Sequence, residues 1–168
     1  MGAFSVDVKA FCEKAKKNPE TVMRAVSLKL FSAIIKASPV DTGRFRMNWQ
    51  AAGAAPATGE VPGEDKTGSN SINAAAEFIK ATNYWEEVTL TNNLPYAEVI
   101  EYGGYATGFH GAPKPMKETG SKFVGPLRPK AAPKTNTSGF SLQAPAGVVR
   151  VNVLRFQQLL DEEAAKVK

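Results

Sequence analysis

The sequence SPVDTGRFRMNWQAA, residues 38–52, joins the most strongly helical segment of the chain to its first predicted strand. Pro39 predicts that the helix ends at Ala37, because the proline ring clashes with the preceding helical turn and proline has no N–H to donate. Asp41 and Gly43 predict a turn, since aspartate hydrogen-bonds the backbone ahead of it and glycine tolerates a positive φ.

After this turn, apolar and polar side chains alternate. Phe45, Met47 and Trp49 alternate with Arg44 and Arg46 and with amide side chains. This period of two predicts a strand over residues 44–49, with an apolar inner face and a cationic outer face. Two interpretations of the arginines stay open: they are solvated, or they contact a partner.

Residues 19–37 form the strongest helical pattern in the chain. Pro19 suits the first helical position, and apolar residues recur at intervals of three and four. The polar stripe is narrow, and it comprises Arg24, Lys29, Ser32 and Lys36. This predicts a helix over Pro19–Ala37 that packs on more than one side.

The remaining elements are predicted more simply from periodicity and from turn residues. They are a helix over Val6–Lys17, a loop over Gly53–Asn70, a helix over Ile72–Lys80, a strand over Trp85–Thr91 and a helix over Arg150–Val167. The start of the last helix has an alternative interpretation as a strand, because valines recur from Val148 to Val153.

A second motif, NNLPYAEVIEYG, occupies residues 92–103. Asn-Asn predicts a turn, the proline starts a short helix and the glycine ends it. Glu98 and Glu101 are predicted on the face opposite Val99 and Ile100. A third motif, QAPAGV at residues 143–148, predicts a turn before the C-terminal helix.

Length and composition predict one domain over residues 1–168, with residues 104–142 as an extended basic arm or loop. The net charge is +5, and the arm accounts for this excess with six basic residues against Glu118. Prolines recur along it, which disfavours a compact helix or a central strand. Its basic residues are Lys114, Lys117, Lys122, Arg128, Lys130 and Lys134.

The chain offers no recognisable catalytic set. His110 is the only histidine and Cys12 the only cysteine, so no zinc pattern and no internal disulfide can form. The acidic clusters, such as 161–163, are predicted to be a solvated face. We therefore predict a protein that is not an enzyme and needs no cofactor. No secretory signal and no membrane-spanning apolar run is predicted either.

The three motifs resemble a signature of known proteins. SPVDTGRFRMNW is similar to the SPVDTG-x-(L/F)-(R/K)-x-(S/N)-W pattern of neck and tail-completion proteins of long-tailed bacteriophages, including the minor tail protein Z family. The second and third motifs resemble the N-x-x-P-Y-A-x-x-(L/I)-E-x-G and (K/Q)-x-P-x-G-(M/V) patterns of the same families. The basic arm departs from the family pattern, so its interpretation depends on composition alone.

The resemblance implies an α+β fold in which a small antiparallel sheet is flanked by the long helix and the C-terminal helix. It implies a homo-oligomeric ring, a hexamer or alternatively a dodecamer, at the head–tail junction of the virion after assembly in the host cytoplasm. Adjacent neck and tail proteins would be partners, with non-specific contact to DNA in the channel and none to membranes.

Candidate interface residues carry charge and lie in the motifs or in the arm. They are Asp41, Arg44, Arg46, Glu98, Glu101, Lys114, Lys117, Lys122, Arg128, Lys130 and Lys134. The alternative function is a basic nucleic-acid-binding protein that uses the arm. Its binding would weaken steeply with salt.

Overall fold

The structure, a computed structural model, describes residues 19–82, 87–104, 135–136 and 138–166. This part of the chain has an α+β fold with six helices and one two-stranded antiparallel sheet. The elements are α1 Pro19–Ala37, α2 Arg44–Met47, β1 Trp49–Ala52, α3 Ser69–Ala81, β2 Thr89–Asn92, α4 Ala97–Tyr102, α5 Val149–Val153 and α6 Phe156–Lys166.

The two strands form the sheet by pairing Trp49 with Asn92 at one end and Ala52 with Thr89 at the other. Helix α3 packs on β1 and on α1, while α6 packs along α1. The predicted fold class is therefore confirmed. The predicted helix over Val6–Lys17 lies outside the described residues.

Helix α1 has the predicted bounds and packs on several sides, as its narrow polar stripe indicated. Val22 and Val26 pack against α6, and Phe31 packs against α3. Ile34 and Ile35 belong to a third cluster with β1 and the loops around it. Burial of each such side chain contributes roughly 1.5–3 kcal/mol. The long helix is therefore the common wall of all three clusters.

The prediction of a strand over residues 44–49 was wrong. Arg44–Met47 is a short helix, and the strand begins at Trp49. Gly43, with φ 105°, precedes this helix, and Asn48 closes it by donating its Nδ2–H to the Arg44 carbonyl at 2.9 Å. Phe45 and Trp49 are four residues apart, a spacing that also places side chains on one helical face. The turn and the Asn48 amide therefore outweigh the alternation.

Other boundaries differ from the predictions by a few residues. Helix α3 begins at Ser69 rather than Ile72, and β2 covers Thr89–Asn92 rather than starting at Trp85, which is not among the described residues. The C-terminal helix is divided at Leu154 into α5 and α6. Residues 149–153 are helical, so the alternative strand in this region does not form.

The described end of the predicted arm or loop packs against the rest of the described chain, residues 19–82, 87–104 and 143–166, which we call the body. Thr135 is buried and forms an antiparallel bridge with Ser141. A Cβ at Gly103 would lie 3.0 Å from the Phe140 ring, so the chain passes close to its earlier course here. At this end, the predicted arm or loop therefore lies against the rest of the described chain and does not extend away from it. Residues 105–134 lie outside the described residues.

Across residues 19–82, 87–104 and 138–166, no helix combines the length and the apolar character that a membrane crossing requires.

Candidate interaction site

The three sequence motifs meet in one apolar cluster, which we call the central cluster. Its buried members come from α1 and from all three motifs. They are Ile34, Ile35, Phe45, Trp49, Leu94, Ile100, Ala144 and Val148. The motifs are distant in sequence and adjacent in space, so each must be held to the others by specific contacts.

The first and second motifs are joined at Phe45. Asn92 donates its Nδ2–H to the Phe45 carbonyl at 2.9 Å. The Phe45 ring lies 5.9 Å from the ring of Tyr96 and 5.7 Å from that of Trp49, centroid to centroid. Aromatic pairs at such separations stabilise a core beyond the area they bury. Asn92 and Tyr96 therefore fix the second motif on the short helix of the first.

The second and third motifs are joined by the Glu101 carboxylate. Its Oε2 accepts hydrogen bonds from the backbone N–H groups of Val148 and Val149 at 2.7 and 2.8 Å, and its Oε1 accepts that of Arg150 at 2.9 Å. The Arg150 guanidinium adds a bond from Nε to Oε1 at 3.1 Å. One carboxylate therefore caps the first turn of α5.

The environment of Glu101 acts on its pKa in two directions. Burial raises the pKa, but the hydrogen bonds from Arg150, Val148 and Val149 together outweigh it, and the pKa of Glu101 is lowered. The side chain is only 12% exposed. Glu101, which was predicted on the face opposite Val99 and Ile100, is therefore covered by the third motif.

The first and third motifs are joined by the Gln143 side chain. Gln143 accepts the Val40 N–H at its Oε1, at 2.8 Å, and donates its Nε2–H to the Val40 carbonyl at 2.9 Å. The amide thus pairs with the backbone of Val40 as a neighbouring strand would. Each of the three motif pairs is therefore linked by a side chain of one motif and the backbone of the other.

Within the first motif, Ser38 and Trp49 form a buried chain of hydrogen bonds. The Trp49 indole N–H donates to the Ser38 Oγ at 2.8 Å, and the Ser38 hydroxyl donates to the Ile34 carbonyl at 2.9 Å. A buried indole N–H without a partner would cost roughly 1–3 kcal/mol. Ser38 therefore allows Trp49 to be buried at the end of α1.

Arg46 is committed to the backbone rather than directed outward. Its guanidinium donates to the carbonyl oxygens of Lys36 at 2.6 Å, Ser38 at 3.0 Å and Lys66 at 2.7 Å. Lys36 lies in the last turn of α1, where carbonyl groups lack helical partners and cations are favoured. Arg46 therefore caps α1 and ties the 53–68 loop to it.

The backbone conformation and close surroundings of Gly43 explain why the first motif has a glycine at this position. Its φ is +105°, and a Cβ at this position would lie 2.5 Å from the carbonyl carbon of Asp65. Only glycine permits both the left-handed backbone and this close approach of the loop.

The Asp65 carboxylate organises the same loop. Its Oδ1 accepts the N–H groups of Thr67 and Gly68, both at 2.9 Å, and its Oδ2 accepts that of Asn70 at 2.7 Å. The Thr67 hydroxyl lowers the pKa of Asp65 most strongly, the three backbone N–H groups act in the same direction, and burial opposes them. This explains why α3 begins at Ser69.

A cleft of about 170 Å³ opens beside the central cluster. Phe45, Trp49 and Tyr102 are its aromatic walls, and Glu98 and Glu101 are its acidic residues. Tyr102 is 67% exposed, and the Arg150 guanidinium lies 5.2 Å from the centroid of its ring. The second and third motifs both contribute residues to the lining of this cleft.

The structure separates the candidate interface residues into three groups. Asp41, Arg44 and Glu98 are exposed, and Arg44 forms an ion pair with Glu60. Arg46 and Glu101 hold the body together, as described above. The remainder lie outside the described residues: Lys114, Lys117, Lys122, Arg128, Lys130 and Lys134.

Sequence reasoning missed the residues that join distant segments. Asn48 accepts the Val61 N–H at 2.8 Å and donates to the Val61 carbonyl at 3.0 Å, which ties the loop to α2. Asp65 and Gln143 have similar roles. The only sequence signals for these roles are an Asp-x-Thr-Gly-Ser capping pattern at 65–69 and the glutamine of the third motif.

Among the described residues, no group of three or more His, Cys, Asp or Glu side chains is placed to hold a metal ion. The chain matches no protein-family profile, no curated protein and no solved structure.

Proposed function

We propose that the protein is a structural component of the neck of a long-tailed bacteriophage, where it assembles as a ring and joins the head to the tail. The observation that carries this proposal is the interlocking of the three motifs. Each motif that resembles the neck and tail-completion proteins contacts the other two through Asn92, Glu101 or Gln143. The resemblance therefore extends over one packed unit instead of three unrelated matches.

The interlock gives the motif residues a physical role in such a protein. Gly43, Glu101 and Gln143 position backbone segments, and Trp49 holds the Ser38 side chain at the end of α1. We accordingly propose a mechanical function without catalysis or cofactor. A ring hexamer, or alternatively a dodecamer, would use the exposed faces of this unit to contact its own copies and the adjacent neck and tail proteins.

The distribution of charge supports separate roles for two parts of the chain. The described residues carry ten basic and twelve acidic side chains, a net charge of −2. Residues 105–134, which we call the basic segment, carry six basic side chains and one acidic one, a net charge of +5. In the proposed ring, the basic segment contacts acidic neighbouring surfaces or the DNA that passes through the channel.

Immunogold labelling of purified particles tests this location. An antibody against the protein is expected to label the junction of head and tail, with particles of a phage that lacks the gene as the control. Labelling along the tail, inside the head or on no particle would contradict the proposal.

The alternative function is non-specific nucleic-acid binding, and the charge of the basic segment favours it. Six phosphate contacts would lower the affinity for duplex DNA by about 10³-fold between 50 and 200 mM salt. Filter binding with a random duplex measures this dependence. A head–tail joining protein held by apolar contacts is expected to keep its assembly over the same range.

A further inference from the structure

The cleft beside the central cluster combines aromatic walls with an uncommitted carboxylate. Phe45, Trp49 and Tyr102 line it, and Glu98 lies at its rim. Glu101 is taken up by the first turn of α5, whereas Glu98 has no hydrogen-bond or ion-pair partner within the described part of the chain. The cleft therefore suits a ligand that is apolar along its length and carries a cation.

The basic segment leaves and rejoins the body beside this cleft. Tyr102 lines the cleft, and the basic segment begins three residues later. At its other end, the bridge between Thr135 and Ser141 and the contact of Phe140 with Gly103 return the chain to the same place. Thirty residues that start and end at one point can reach at most about 50 Å from it, so the cleft is within reach.

The composition of the basic segment complements the cleft. It contains Pro113, Pro115, Pro126, Pro129 and Pro133 among six basic residues. Proline-rich peptides bind aromatic-lined grooves, because proline limits the entropy that is lost on binding. The charge of +5 on the segment opposes the −2 of the described residues, so electrostatic attraction favours the same contact.

From these observations we propose that the cleft formed by Phe45, Trp49, Glu98 and Tyr102 is a docking site for the basic segment of this protein, residues 105–134. One or more of its lysines or its arginine pairs with Glu98, and a neighbouring proline lies against the aromatic walls. The docking does not depend on the ring, since the segment comes either from the same molecule or from a second copy.

Zero-length cross-linking of the purified full-length protein tests the docking. A carbodiimide joins a carboxylate to a lysine amine only where the two are in direct contact. We expect mass spectrometry to find Glu98 linked to Lys114, Lys117, Lys122, Lys130 or Lys134. Mixing ¹⁵N-labelled and unlabelled protein shows whether the two residues belong to one molecule or to two copies, and either result supports the proposal.

Two matched variants and one internal control make the test specific. Tyr102→Ala removes an aromatic wall without touching the carboxylate, and it is expected to reduce the Glu98 links at least threefold. Glu77, an exposed carboxylate on α3, serves as the control within the same sample, and Glu77→Gln is expected to leave the Glu98 links unchanged. No link from Glu98 to the basic segment, equal linking from Glu77, or no effect of Tyr102→Ala would each overturn the proposal. Because no phage is needed, this result is independent of the immunogold experiment.

Discussion

The motif-bearing body and the basic segment differ in how the sequence uses its polar residues. In the body, Arg46, Glu101 and Gln143 are directed at backbone groups of distant segments and hold them together. In the basic segment, six cations are grouped with a single carboxylate, Glu118, so the segment has a net charge of +5. Charged residues near the motifs therefore fix the fold, whereas the cations of the basic segment are suited to contacts with acidic groups outside the segment.

The largest expected effect comes from Trp49, which is buried and donates its indole N–H to Ser38. Trp49→Ala is expected to lower the free energy of unfolding by about 3–5 kcal/mol, because it leaves a cavity in the central cluster. Urea denaturation measures this. Trp49→Phe keeps most of the apolar volume but removes the hydrogen bond that the Ser38 Oγ accepts, so a loss of about 1–3 kcal/mol is expected. An unchanged urea midpoint for Trp49→Ala would show that the central cluster does not stabilise the fold.

Gly43 gives the next largest effect. Gly43→Ala is expected to cost about 2–4 kcal/mol, because the new methyl group meets the Asp65 backbone at 2.5 Å in a left-handed conformation. Gly59→Ala is the matched control: its φ is also positive, at +80°, but nothing lies within 4 Å of the added Cβ. It is expected to cost about 1–2 kcal/mol from the backbone alone. Equal losses for the two variants would show that the approach of the loop to Gly43 is unimportant.

The contribution of Glu101 to the free energy of unfolding depends on pH, which gives a test of its role in the body. Since its pKa is lowered in the folded protein, the stability it contributes is complete above the unfolded pKa of about 4.3 and is lost as the pH falls through the folded value. Glu101→Gln is expected to lower the free energy of unfolding at pH 7 by about 1–3 kcal/mol and to flatten the acid side of the stability profile.

Glu98→Gln is the control for this variant, because Glu98 is exposed on the same short helix. It is expected to change stability by less than about 0.5 kcal/mol. Thermal unfolding followed between pH 3 and 7 compares the two variants. Matching profiles for Glu101→Gln and the wild type would contradict the carboxylate cap.

The smallest effect is expected from removing most of the basic segment. Replacing residues 107–133 with a short Gly-Ser linker retains Thr135 and the contact of Gly103 with Phe140. The body is expected to unfold cooperatively, within about 1 kcal/mol of the wild type, because loop length has only a weak effect on closure entropy. Loss of the cooperative transition, measured by circular dichroism, would show that the segment belongs to the core.

Prolines and apolar periodicity predicted the elements whose limits depend on neighbouring residues in the sequence. Pro19 and Pro39 mark the limits of α1, and the helix has the predicted bounds. The alternation at 44–49 led to the wrong prediction of a strand, because the spacing of Phe45 and Trp49 fits a helical turn as well as a strand. The left-handed backbone of Gly43 and the Asn48 side chain favour the helix.

Long-range contacts explain what the sequence did not predict. Glu101 accepts three backbone N–H groups at the start of α5, which begins 48 residues later in the chain. No periodicity around Glu101 contains this information. Gln143 and Val40 are 103 residues apart, and their pairing depends equally on the completed fold. The candidate site was therefore predicted as a set of motifs, but not as the network that connects them.

Electron microscopy of lysates from a phage whose copy of this gene is disabled tests the central claim most directly. The proposed role in the neck predicts DNA-filled heads beside separate, finished tails, and restoration of joined particles when the wild-type gene is supplied in trans. Overlong or ragged tails would place the protein in tail-length termination instead. Normal, infectious particles would contradict the joining role altogether.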